Sequence, residues 1–226
     1  MIKLAVLPAL ILFFYVYKLD KIEKEDSKLL IKLFLLGAAT IISAIVLELI
    51  GMALLSMFFE KGETAYIFIA NFLVVAVAEE GGKYLVLKKN TWNHEEFNYS
   101  FDAVLYAITV SLGFATIENV MYVLDGGVGV AILRALTSVP GHAIFGLFMG
   151  NYYGLAKRCE QQGYEDGMRK NLRKALGVPV LLHGFYDFCL EMNSGWFLGT
   201  FLVFELGLTI LSVKKVKKMS KQDVAL

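Results

Sequence analysis

The chain has 226 residues, 57% of them hydrophobic and 19% charged, with a mean hydropathy of +0.60 and a formal net charge of +1. Soluble domains hold roughly 45–50% apolar residues, so the composition excludes an ordinary soluble globule and points to an integral membrane protein. The near-zero charge gives no footprint for nucleic acid, which is not expected as a partner, and Cys159 and Cys189 form neither a CxxC site nor a disulfide framework.

A helix needs about 20 apolar residues to cross the hydrocarbon core, and seven stretches qualify in chain order. Ile2 to Tyr17 is short; without a basic leader or a small-residue cleavage site it is read as a span. Leu29 to Phe59 is long enough to tilt or to bend near Gly51. Thr64 to Leu87 carries Val77-Ala78-Glu79-Glu80-Gly81-Gly82-Lys83. Phe101 to Val123 follows a polar loop, and Asp125-Gly126-Gly127 turns the chain. Val128 to Leu155 is interrupted by Pro140-Gly141, with Gly146, Gly150 and Gly154 forming a small face suited to close helix packing. Ala175 to Glu191 and Trp196 to Val213 complete the set. The fold class is therefore all-α: a polytopic bundle of about seven spans, in one domain over residues 1–226, set in the lipid bilayer.

Basic residues collect after the first, third, fifth and seventh spans, ending in Lys214, Lys215, Lys217, Lys218 and Lys221. By the positive-inside rule the N-terminus is outside and the C-terminus inside. An odd number of spans requires the two ends to lie on opposite sides, in agreement with that assignment. The Lys-rich tail reads as an anchor to anionic lipid on the inner leaflet.

Charged groups inside a span cost roughly 2.5–3.5 kcal/mol each on insertion scales, so those present need a reason. Glu79 and Lys83 are i and i+4 and can pair on one helix face. Glu80 points about 100° round the helix and is left without an evident partner. Glu118 and Asn119 fall on the fourth span and His142 on the fifth, where Pro140 is expected to bend the helix. His183 and Asp187, i and i+4 on the sixth, set a carboxylate beside an imidazole. Glu48 has no close partner, and Arg134 is expected to snorkel at an outer helix end or to anchor a substrate carbonyl. The third to sixth spans, residues 64–191, thus share a polar centre to which the first and seventh add nothing. The span limits put Glu118 on the order of 15 Å further out than Glu79. At that spacing Glu118 serves substrate entry, unless tilt, the Pro140 bend or shifted boundaries bring it inward.

Two chemistries fit these residue types. In one, Glu79 or Glu80 is a general base that activates water on a peptide carbonyl, with His183 stabilising the oxyanion or protonating the leaving amine. In the other, His142, His183 and one or two of Glu80 and Glu118 hold Zn2+. No H-E-x-x-H helix is present, so a metal site would be assembled from separate spans.

Four motifs in order, Glu79-Glu80-x-x-Lys83, Phe114-Ala115-Thr116-Ile117-Glu118-Asn119, Pro140-Gly141-His142-Ala143-Ile144-Phe145-Gly146 and Leu182-His183-Gly184-Phe185-Tyr186-Asp187, resemble those of the PrsW family of membrane proteases. The resemblance implies a multi-pass protease of the bacterial cytoplasmic membrane. Such a protease makes the first, extracytoplasmic-side cut in a single-span anti-sigma factor. That cut frees an extracytoplasmic-function sigma factor under envelope or antimicrobial-peptide stress. The family is similar to the type II CAAX prenyl endopeptidases, whose EE-x3-R, F-x3-H and H-x3-N/D patterns fall on Glu79-Glu80, Phe114 to Glu118 and His183 to Asp187. Lys83 stands one residue short of the Arg position and Glu118 replaces the His, departures that match PrsW rather than the prenyl-processing branch. The rival expectations are a non-proteolytic immunity or scaffold protein of the wider superfamily and a proton-coupled transporter.

Overall fold

The computed structural model describes all 226 residues as an all-α assembly. The α-helices are α1 (Ile2–Leu19), α2 (Ser27–Leu55), α3 (Thr64–Ile69), α4 (Ala76–Thr91), α5 (Asp102–Leu136), α6 (Ser138–Gln161), α7 (Glu165–Glu191) and α8 (Gly195–Lys221). A π-helical segment, Ala70–Val75, joins α3 to α4, so that Thr64–Thr91 is one continuous rod. Five helical stretches are long and apolar enough to cross a membrane, one of them, Asp102–Gln161, containing both α5 and α6. Large apolar side chains such as Ile42, Leu49, Leu85, Val203 and Leu206 remain exposed, as lipid-facing surfaces require. α7 is absent from that set because Glu165 to Lys174 and the polar groups of its second half replace apolar positions.

α5 is the central element. Every residue from Phe101 to Thr116 is buried, and α1, α2, α4 and α6 pack around it. Backbones approach closely at small residues. A Cβ on Gly37 of α2 would lie 2.1 Å from the Val110 carbonyl oxygen, and one on Gly150 of α6 would lie 2.4 Å from that of Ala103. Gly146, Gly150 and Gly154 meet α5 as their spacing predicts.

The turn expected at Asp125-Gly126-Gly127 is present, but the boundary after it and the course of α2 differ from expectation. Gly127 has φ 74° and ψ −160°, which sends residues 128–136 back along the preceding turns, so that Val123 and Ala131 share one cluster with Ala5. The expected Val128–Leu155 span is therefore divided at Thr137, and Pro140 lies in the first turn of α6 rather than at a mid-helix bend. There its missing N–H is one that the helix start leaves unpaired anyway. α2 also runs through Gly51 without a break; a Cβ there would meet Val74 of the π segment at 2.5 Å.

Candidate active site

Lys83 is fully buried and gathers the polar centre around its ammonium group. Its Nζ donates to Glu80 Oε1 at 2.7 Å, to Glu79 Oε2 at 3.2 Å and to His142 Nδ1 at 3.2 Å, and lies 4.0 Å from the centre of the Phe114 ring. An ammonium has donors only, so His142 Nδ1 must accept and its Nε2–H donates, to Glu118 Oε2 at 2.8 Å. His183 faces a carboxylate at each ring nitrogen: Glu80 Oε1 is 3.0 Å from Nδ1 and Asp187 Oδ2 is 3.1 Å from Nε2. The Phe145 ring stacks on His183 at 4.9 Å.

The returning arm of α5 brings Arg134 back to the helix it left. Its Nη2 donates to Glu118 Oε2 at 2.7 Å and its Nε to Asn119 Oδ1 at 3.0 Å, while Asn119 Nδ2 donates to the Ala5 carbonyl at 2.7 Å. Arg134 is thus an internal clamp on Glu118, not a snorkelling side chain. Glu118 belongs to the same network as Glu79, and the expected 15 Å offset is absorbed. The rod carrying Glu79 continues to Thr91, four residues beyond the expected Leu87, which moves Glu79 about 6 Å outward relative to the helix end. His142 and Lys83 then span the remaining distance.

Glu80 also differs from expectation. At i and i+3 it binds Lys83 more closely than Glu79 does, and it has no exposed surface. Its second oxygen, Oε2, is buried without a partner. Glu79, in contrast, lines a cavity of about 740 Å³ together with Glu118, Arg134, His142, His183 and Asp187. The cavity wall also includes Glu48, Asn71, Asp125 and Glu191, all near the end of the bundle opposite the basic loops. Asn71 Nδ2 donates to Glu191 Oε2 at 2.5 Å across the seam between the π segment and α7. Asn71 stands out in the sequence as a polar group inside an apolar run, but its partner had no signal, since Glu191 reads as the last residue before a turn. A further carboxylate, Glu205 on α8, breaks the expectation that the seventh span is free of such groups. It is buried without a hydrogen-bond partner and takes no part in this network.

Glu79, Glu80, His142 and His183 each bring a ligand atom within 4.8 Å of the others. Two imidazoles and two carboxylates suit a divalent transition metal. The unpaired Glu80 oxygen and the buried cation already among these groups show an environment built for positive charge. Glu118 and Asp187 stand behind the two histidines as outer carboxylates, the arrangement that orients metal-bound imidazoles.

The sequence profile described as "PrsW family intramembrane metalloprotease" matches residues 25–212. Protease PrsW of Oceanobacillus iheyensis is 36% identical over 217 residues, covering 96% of this chain and 94% of that protein. Protease PrsW of Shouchella clausii is 33% identical over 220 residues, with 97% of each chain covered. That of Bacillus subtilis is 30% identical over 226 residues, covering 99% and 98%. No solved structure matches. Profile, relatives and a buried Glu/His group that can bind a metal agree: the chain belongs to the PrsW family of intramembrane metalloproteases.

Proposed function

We propose that the protein crosses the bacterial cytoplasmic membrane seven times as one protease domain, N-terminus out and C-terminus in. In that membrane it makes the first, extracytoplasmic-side cut in a single-span anti-sigma factor and so releases an extracytoplasmic-function sigma factor under envelope stress. The observation that carries this reading is the Glu79–Glu80–His142–His183 group, of which Glu79, His142 and His183 line a cavity. The lining residues Glu48, Asn71, Asp125 and Glu191 lie toward the Glu60–Glu63, Asp125–Gly127 and Asn193–Gly195 turns, which supports a cavity mouth at that end. The basic loops occupy the other end of the bundle, so with those loops in the cytoplasm the mouth faces outward. The cavity volume falls in the range of small-ligand sites, roughly 300–1,000 Å³, enough for a short unwound stretch of substrate.

His142, His183 and Glu80 would hold the metal, which the donor set suggests is Zn2+. The ion would supply Lewis acidity toward water and the scissile carbonyl. Glu79, the carboxylate of the pair that faces the cavity, is assigned the acid–base work. It takes a proton from the attacking water as the C–O bond forms and delivers it to the amide nitrogen as the C–N bond breaks. The products are a carboxyl end and an amine end, and the Glu79 carboxylate is regenerated. Arg134, held on the cavity wall by Glu118 and Asn119, has N–H donors left for the substrate carbonyl.

The test co-expresses an epitope-tagged anti-sigma factor with the wild type, Glu79→Gln and Glu80→Gln. Glu79→Gln should retain metal and lose cleavage by about 10²–10⁴-fold, whereas Glu80→Gln should lose both. Cleavage by Glu79→Gln at the wild-type rate, in protein inserted normally, would remove the base assignment. An uncut anti-sigma factor beside a wild-type enzyme that hydrolyses other membrane peptides would remove only the substrate.

A further inference from the structure

We infer that Lys83 is a built-in competitor of the metal: its ammonium group occupies the centre of the ligand set and must leave before a divalent cation is held there. This rests on the metal reading of the site. An ammonium has three N–H donors. Here the three acceptors are Glu79 Oε2, Glu80 Oε1 and His142 Nδ1, at 3.2, 2.7 and 3.2 Å. The last two are atoms that a metal would require.

The His142 contact is the most informative. A neutral imidazole nitrogen with its lone pair directed at a buried cation, and its other nitrogen donating to Glu118, has the orientation of a metal-bound histidine. Lys83 therefore does two things. Without metal, it keeps two adjacent buried carboxylates and a histidine lone pair converged, where mutual repulsion would otherwise spread them. When metal arrives, its volume and its charge both oppose entry, because the ligand atoms all lie within 4.8 Å of one another. The Phe114 ring, 4.0 Å from Nζ, offers a face on which the displaced ammonium can rest.

The experiment measures Zn2+ affinity of the full-length, detergent-purified protein by competition with a chromophoric chelator at fixed pH. Wild type is compared with Lys83→Met, which keeps chain length and removes the charge. Lys83→Met should bind Zn2+ more tightly by about 10- to 100-fold, the scale on which neighbours of a metal site alter affinity. Equal or weaker binding by Lys83→Met overturns the inference and leaves the metal reading standing. No Zn2+ uptake by either protein overturns both.

A second measurement uses the wild type alone and does not depend on the variant folding. A membrane-permeant carbodiimide activates a buried carboxylate. Attack by the Lys83 amine then forms an amide, the carboxylate oxygen leaving in the urea. The peptide carrying Glu79 to Lys83 should lose one water in metal-free protein and not in Zn2+-saturated protein. An equal yield of the cross-link with and without Zn2+ overturns displacement.

Discussion

His183 is held between two carboxylates, and they do different things. Glu80 reaches Nδ1 from inside the network, whereas Asp187, one helical turn further along α7, reaches Nε2 from the cavity side. Asp187 is thus a positioning residue: with Nδ1 given to a metal, Nε2–H donates to Asp187, and the ring is fixed in one orientation. Asp187→Asn keeps the size and one oxygen but loses the charge. It should lower metal affinity and activity together by about 10–100-fold, read by chelator competition beside peptide hydrolysis. Loss of activity at unchanged metal affinity would instead put Asp187 in contact with substrate. Glu118 has the same relation to His142 and an additional clamp in Arg134. Arg134→Gln should therefore lower activity while Zn2+ affinity changes less than in Glu118→Gln.

At the scale of elements, the site depends on how closely α5 is approached and on how it turns back. A Cβ on Gly150 would lie 2.4 Å from one backbone atom and 2.6 Å from another, so relief requires α6 to move away from α5. Gly150→Leu should destabilise the protein by about 1–3 kcal/mol or more, seen as a lower melting temperature in detergent. Gly199→Ala on α8, where nothing lies within 4 Å, should be neutral. Gly127 holds a backbone conformation essentially reserved for glycine. Gly127→Ala should cost on the order of 1–3 kcal/mol and loosen the arm that delivers Arg134. The rods themselves were legible as apolar runs, and the Gly146–Gly150–Gly154 face as helical spacing. The turn at Asp125-Gly126-Gly127 was legible as well, but the break at Thr137 was not; it makes residues 128–136 a short arm that carries Arg134 back to Glu118, sixteen residues earlier. Nor was the π segment, whose extra residue per turn leaves no compositional trace. Glu79 and Glu80 were legible as a charged anomaly. Their division of labour was not, since i+3 and i+4 both reach Lys83 and only the cavity separates them.

Across the whole molecule, the two ends have different chemistry. One end holds the cavity. At the other, the C-terminus and the loops close over a second set of buried acids, Asp20, Glu25 and Asp102, with the C-terminal residues paired back on the 98–101 stretch. The Tyr106 hydroxyl donates to Glu25 Oε2, and Asp102 Oδ2 accepts from the Asn98 and Tyr99 backbone. In the loop joining α1 to α2, burial pushes Glu25 up to about 7 despite the opposing Tyr106 and Asp102 hydrogen bonds. Burial likewise pushes Asp20 up to about 6 despite Lys24. Both shifts are upward, so the folded protein binds these protons more tightly than the unfolded chain. Stability is fully present below the ordinary carboxyl range and is lost as pH rises through about 6 and 7. Glu25→Gln keeps an acceptor for Tyr106 and removes the titration. It should leave the melting temperature nearly unchanged at pH 4 and raise it at pH 8, by an amount corresponding to about 1–2 kcal/mol. A variant less stable than wild type at pH 8 would mean that the Glu25 carboxylate is stabilising as an ion. The buried acids at this end would then be held by charge pairing and not by shared protons.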